Sequence, residues 1–432
     1  MYFSLKHRRP VRNTFCGIFF SSGLGFGFSR AAAQPAYRLA PEKLAEAVHL
    51  AHIRTALHFG LEIWLIVALF LLLRLGLCAA LVTRVQGWAR RVWMQSLLFS
   101  FLLILVLYCV VELPIAALGH RAMLAYGISI QGWPGWLRDQ ALMLGFVILI
   151  GTPVLAFVQW LTRWSPRRYW LWAWIGSVPL ILLGALILPS VLDPAFNHFE
   201  PLVLTHPELV QQLERVVART GTNIPPERMF LMRASEKGNG LNAYVTGLGP
   251  TRRIVVWDTT ADRIPQDEVL FIFAHESGHY VLHHVALGVV LGIVGTLAML
   301  WMTAALAEWL VKRRGNRWQV HSLASPVGLT LLLLALFALE AITEPVGNSI
   351  SRAMEHQADI YGQEAIHGIV ADPQSTAVNA FNHLGQAWLE DPHPSAFVEF
   401  WTYDHPSTEQ RAQFAAHYDP WVPGARPRYF SK

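Results

Sequence analysis

Five consecutive residues, His275-Glu276-Ser277-Gly278-His279, carry the most specific chemistry in this sequence. Side chains four apart on a helix share a face, so the two imidazoles can reach one ion. Zinc accepts neutral imidazole nitrogen in tetrahedral geometry and makes water acidic enough to attack at neutral pH. Glu276, next to the first histidine, is placed to take that water's proton and direct the nucleophile at a carbonyl. With 18 histidines in the chain, a chance H-E-x-x-H would stand alone, whereas a catalytic one needs a third ligand and an open fourth position.

A third ligand is available downstream. Ser351 to Asp359 reads as a helix with Glu355 and Asp359 one turn apart on one face. Glu355 completes a His275, His279, Glu355 set for one Zn2+. Asp359 can hydrogen-bond a ligand histidine and fix its tautomer. The bland alternative is a solvated charged face. His356, next to Glu355, should point away from the metal side. His283 and His284 are read as membrane-interface residues, because a fourth protein ligand would close the site to water.

These segments must be held in place, and the composition says by what. The chain has 432 residues, 53% hydrophobic and only 15% charged, against about 25% charged in soluble domains. Six apolar segments, Leu57–Val82, Gln95–Leu118, Ala141–Leu161, Trp170–Leu192, Val285–Val311 and Pro326–Ile342, are each near the roughly 20 residues that cross a bilayer. The net charge of +5 does not indicate nucleic acid, because the basic residues gather in short loops between spans. Arg84, Arg90 and Arg91, then Arg163, Arg167 and Arg168, then Lys312 to Arg317 occupy alternate loops. The positive-inside rule makes that side cytoplasmic. A basic, then apolar, then Ala31-Ala32-Ala33 start reads as a signal peptide, or else an uncleaved anchor. The three cysteines fit neither a disulfide framework nor a zinc ribbon. Glu62, Arg74, Glu112, Glu308 and Glu340 lie within spans, where acids and bases face a hydrated cavity or snorkel to the surface.

Two polar regions remain, and the loop charges put both on the extracytoplasmic side, where they must pack as one split domain. Pro207–Thr220 has helical apolar spacing, and Met229–Met232, Ala243–Thr246 and Ile254–Trp257 read as strands of a small sheet. The expected fold is mainly α: a polytopic membrane helix bundle enclosing a chamber, with a split α+β metalloprotease domain. Its parts are residues 1–33 (signal peptide or anchor), 34–192 (four spans), 193–284 (first protease part), 285–345 (two spans) and 346–432 (second protease part).

The chain resembles the type I CAAX prenyl protease family, integral-membrane zinc metalloendopeptidases of the gluzincin type. The resemblance rests on Phe196-Asn197-His198-Phe199-Glu200-Pro201-Leu202, Asn242 to Gly247, His275 to His279, Ser351 to Asp359, and Asp404-His405-Pro406-Ser407 with Arg411. It implies Glu355 as third zinc ligand, Asp359 as its supporting carboxylate, and His405 as stabiliser of the oxyanion. Asn242, Ala243 and Tyr244 would bind an extended peptide along an edge strand. Arg352 and Arg411 would support the site. The expected function is hydrolysis of peptide bonds by metal-activated water. An HtpX-type quality-control protease and a non-catalytic zinc-stabilised channel or scaffold are the alternatives. The expected partners are an extended peptide or protein, membrane-associated or exported, and the lipid bilayer, without nucleic acid. The expected location is a bacterial inner membrane with the catalytic domain facing outward, which points away from prenylated cytosolic substrates.

Overall fold

The computed structural model describes residues 36–186, 188–247 and 252–430. The leader expected at residues 1–33 lies outside the described residues. The chain begins with helices α1 (Pro41–Arg74), α2 (Leu77–Trp88), α3 (Val92–Leu107), α4 (Leu113–Ala125), α5 (Trp133–Trp164) and α6 (Tyr169–Leu186). It continues through α7 (Leu188–Phe196), β1 (Phe199–Pro201), α8 (Leu202–Thr205), α9 (Pro207–Thr220), β2 (Met229–Met232), β3 (Ala243–Thr246), β4 (Arg253–Trp257), α10 (Asp258–Arg263) and α11 (Gln266–Val281). Two long helices follow, α12 (His284–Trp318) and α13 (Pro326–Ala365), then α14 (Pro373–Trp388), α15 (Ala396–Thr402) and α16 (Thr408–His417).

Among the described residues, five helices are long and apolar enough to cross a membrane: α1, the α3–α4 rod, α5, α12 and α13. A shorter apolar helix, Tyr169–Ala185, lies where the fourth span was expected. A π-helical turn at Tyr108–Glu112 joins α3 to α4 without a break. The first expected span, Leu57–Val82, needs correction. The helix stops at Arg74, the chain turns through Gly76 in the left-handed region (φ 69°), and Leu77–Val82 belongs to α2. Glycine takes that conformation without a Cβ clash, so an apolar run continuous in sequence is divided in space. Leu69, Leu73, Leu161, Ala304, Ala307 and Leu331 bury one another where these helices meet. Arg163 donates to the Ala324 carbonyl (3.3 Å) and to Ser96 Oγ (2.5 Å), so the ends of α3, α5 and the α12–α13 connection lie together.

The three strands read from sequence form, with β4 beginning one residue earlier, and a fourth joins them. The sheet runs β1-β2-β4-β3, with β2 and β4 parallel and the outer pairs antiparallel. β1 went unread because it is only three residues long and ends on Pro201, a residue tolerated at a sheet edge but not inside one. α9 buries Leu209, Leu213 and Val216 against α11, as its spacing predicts. One apolar core unites Leu213, Val256 and Phe271 of the first polar region with Tyr361, Phe381 and Ala412 of the second. The two polar regions therefore pack as one split domain, and α13 runs unbroken from the membrane bundle into it.

Candidate active site

α11 is buried all round over Val269–Ala274, so it threads the domain core rather than lying on it. That fixes the height and rotation of His275, Glu276 and His279 at its C-terminal end. α13 crosses it at very short range. A Cβ on Gly362 would meet His275 N at 2.9 Å, and one on Gly278 would meet the Tyr361 side chain at 3.0–3.1 Å. Two glycines thus let the helix bearing Glu355 and Asp359 approach the helix bearing the histidines.

The approach brings the sequence-predicted groups together. His275 Nε2 lies 3.1 Å from His279 Nε2 and 3.2 Å from Glu355 Oε2, and His279 Nε2 lies 3.3 Å from Glu355 Oε1. Ligands at zinc distances in a tetrahedron stand about 3.4 Å apart, so the spacing of these donors fits one zinc-sized ion. Glu355 Oε2 is buried and lies 3.2 Å from His275 Nε2 and 3.3 Å from His405 Nε2, so it faces the same point as the imidazole nitrogens.

Around these donors stand the other expected residues. Asp359 Oδ1 lies 2.9 Å from His275 Nδ1, on the far side of the ring from Nε2. Arg411 of α16 donates Nε to Asp359 Oδ2 (3.0 Å) and Nη2 to Asp359 Oδ1 (2.7 Å). His405 Nε2 lies 3.3 Å from Glu355 Oε2, and its Nδ1 is 2.8 Å from Asp404 Oδ1. Arg352 donates to the carbonyls of Glu399 (3.1 Å) and Tyr403, holding the end of α15 and the Asp404–His405 turn. His356 points away, its ring edge-on to Phe414.

The charges are uneven. Burial opposes the protonated form of His275, but the carboxylates of Asp359 and Glu355 outweigh it and hold this imidazole up at about 9. Burial and the neighbouring His275 push His279 down to about 3, so it stays neutral. Burial, reinforced by Glu355, raises the Glu276 carboxyl above the usual range, which suits a group that takes and returns a proton. Burial disfavours the Arg411 charge, yet Asp359 holds it fully protonated.

β3 is an outer strand of the sheet, paired with β4 on one side only. Asn242 precedes it with its side chain exposed, its backbone pinned by Thr260 Oγ1 at 2.8 Å. Ala243 is buried and Tyr244 spends its hydroxyl on Asp193 (2.9 Å). A cavity of about 550 Å³ opens beside the site between α1 and the catalytic domain, touching Arg54, His58, Asn242, Tyr403, His405 and Arg411. His58 and Glu62 of α1 and Glu344 of α13 form a further His/Glu group nearer the bundle.

Two positions that shape the site's geometry escaped the sequence reading. Gly362 follows the S-R-x-x-E-x-x-A-D segment and carried no chemical signal. His284, read as an interface residue, is instead buried, with Nδ1 3.2 Å from His279 Nδ1. The reading weighed His284 only as a possible fourth ligand, whereas the helix break at Leu282–His283 turns it against a ligand histidine.

The chain is similar to known proteins along most of its length. A family model described as the CAAX prenyl protease N-terminal region, five membrane helices, matches residues 33–198, and that of peptidase family M48 matches residues 204–419. An uncharacterized metalloprotease, YhfN, from Bacillus subtilis is 31% identical over 89% of this chain and 88% of its own. CAAX prenyl protease 1 of Saccharomyces cerevisiae is 27% identical over 62% of each chain, and a homolog from Dictyostelium discoideum 30% over 53% of each. The chain thus spans about half to three-fifths of those two relatives. The crystal structure of S. mikatae Ste24p superposes with a TM-score of 0.74 at 21% identity, covering 88% of this chain and 90% of that one. The two chains therefore share one fold over most of their length.

Proposed function

The chain belongs to peptidase family M48 and is a multi-pass membrane metalloendopeptidase, and on that premise we propose that His275, His279 and Glu355 hold one Zn2+ while Glu276 is the general base. The observation that carries this reading is the convergence of two Nε2 atoms and a carboxylate within 3.3 Å of one another, with Glu276 adjoining. When bound, Zn2+ supplies Lewis acidity that polarises the scissile carbonyl and acidifies the attacking water.

The chain's own residues do the rest. The peptide adds along the open edge of β3, where backbone hydrogen bonds hold it largely regardless of side chains. Asn242 anchors one end of that edge. Glu276 takes the proton of the attacking water and returns it to the leaving amine. His405, oriented by Asp404, donates to the oxyanion. Arg411 and Asp359 hold His275 in place. The divisions at residues 33/34, 192/193, 284/285 and 345/346 mark the protease halves and the spans that carry them.

The substrates on this reading are extended polypeptides that are membrane-associated or exported, cleaved on the outer face of a bacterial inner membrane. The basic loops support that orientation, because Arg163 and the α12–α13 connection meet at one end of the bundle. At another point the α4–α5 turn contacts the protease domain, with Ile130 N donating to the Lys237 carbonyl at 2.9 Å. Relatives named CAAX prenyl proteases suggest a prenylated peptide as the other substrate class.

The test is cleavage of an unstructured peptide by the purified, detergent-solubilised protein, compared with Glu276→Gln and read by mass. Wild type should cut, and Glu276→Gln should lose turnover while keeping about one zinc per chain. Equal cleavage by both would remove Glu276 from the mechanism. A cysteine in the Val311–Gln319 segment that reacts with an impermeant reagent from outside would reverse the orientation.

A further inference from the structure

Asp359 accounts for one of the two ligand imidazoles, and no residue of either motif accounts for the other. His275 turns Nε2 towards Glu355 and Nδ1 towards Asp359. His279 also turns Nε2 towards Glu355, so its Nδ1 faces the opposite way. There it meets Nδ1 of His284 at 3.2 Å, with ring centroids 5.1 Å apart and planes inclined at 75°. An edge-on pair at that distance is within hydrogen-bond reach, with one ring donating N–H and the other accepting.

The backbone is shaped to bring this about. α11 ends at Val281, Leu282 sits near φ −83°, ψ 3°, and His283 adopts the left-handed conformation at φ 60°, ψ 26°. In an unbroken helix His283, four residues on, would share the face of His279, and His284 would lie about 140° round from it. The left-handed residue sends His283 out to solvent and returns His284, 6% exposed, to the ligand. A non-glycine residue with positive φ is uncommon and is kept where the surroundings demand it.

We propose that His284 is the positioning residue for His279. Its Nδ1 accepts a hydrogen bond from the Nδ1–H of His279, which leaves the Nε2 lone pair of His279 aimed at the metal. The inference rests on the reading of His279 as a zinc ligand. The two ligands are then held differently, His275 by a carboxylate backed by Arg411 and His279 by an uncharged ring. Groups that orient a ligand histidine in this way typically set metal affinity by ten- to a hundredfold.

The experiment uses the full chain in detergent and compares wild type with His284→Asn, His284→Phe and His279→Ala. Zinc affinity is read by competition with a chromogenic chelator, and site geometry by the visible spectrum of the Co2+-substituted protein. Asn places an acceptor oxygen near where Nδ1 stood, whereas Phe keeps the ring and removes the acceptor. The expected result is a roughly 10- to 100-fold weaker zinc affinity and an altered Co2+ spectrum for Phe, with Asn within about threefold of wild type. Wild-type affinity and spectrum in His284→Phe would overturn the proposal. So would equal losses in Asn and Phe when both melt like wild type without metal. If wild type takes up no zinc, or His279→Ala binds as tightly as wild type, the zinc-site reading itself falls, and this inference with it.

Discussion

Arg411 grips Asp359 through two parallel hydrogen bonds, at 3.0 and 2.7 Å, and the oxygen at the shorter of them is also 2.9 Å from His275 Nδ1. A residue of the last helix thereby sets the rotation of an imidazole on α11, through a carboxylate on α13. The guanidinium also lies over the Phe381 ring at 4.5 Å, so its plane is fixed from a second direction. This chain of contacts ties the second polar region to the first at the catalytic centre.

Replacing Arg411 with Met should destabilise the protein by about 3–5 kcal/mol, because Asp359 would remain buried without its guanidinium partner. Lys should restore only part of this, since an ammonium cannot supply the planar fork. Thermal unfolding of the three proteins under identical detergent conditions measures the order. A Lys variant as stable as wild type would mean that charge alone matters here.

Gly362→Ala should be damaging beyond its size. Its Cβ would fall 2.9 Å from His275 N and 3.1 Å from His275 Cα, and backbone in the middle of a buried helix cannot move aside. The cost should be about 1–3 kcal/mol, as for other overpacked cores. Zinc affinity should fall as well, because the strain is delivered at a ligand. Unfolding and metal competition on the same preparation would show whether both move. Loss of stability with unchanged affinity would mean that α13 shifts as a whole without disturbing His275.

How far these features can be read from sequence depends on how local their cause is. H-E-x-x-H, the Glu355–Asp359 pair and the helical stripe of Pro207–Thr220 declare themselves, because one helical turn is enough to define each. Ala243–Thr246 is also legible, since β-rich composition bounded by Asn242 and Gly247 is a local signal. Gly76, Gly362 and His284 are different. Gly76 divides an apolar run that hydropathy treats as continuous. Gly362 matters only because another helix passes over it. His284 reaches the site only because His283 breaks the helical phase, and one positive φ at a histidine leaves no mark in the sequence.

His283→Gly follows from that break. Histidine in the left-handed region suffers a Cβ clash worth about 1–2 kcal/mol, which glycine escapes. Part of this is offset by the greater freedom of glycine in the unfolded chain. The variant should therefore be more stable by about 0.5–1 kcal/mol, with zinc affinity unchanged, since His283 faces solvent. Thermal unfolding decides it. A drop in stability would show that the His283 side chain makes a contact worth more than the strain.

Arg352 offers a test of how His405 is held. Its guanidinium binds the Glu399 and Tyr403 carbonyls, one at the end of α15 and one just before Asp404, while touching none of the metal-side atoms. Removing an oxyanion donor typically lowers kcat by about 10²–10³, and His405→Ala should fall in that range. Arg352→Met frees the turn without deleting the imidazole, so its loss should be smaller and should appear in kcat more than in KM. Placed in the His405→Ala background, Arg352→Met should add almost nothing, because the group it positions is already gone. Steady-state kinetics on the four proteins of this cycle measure the coupling. Additive losses would show that Arg352 acts on the site by a route that does not pass through His405.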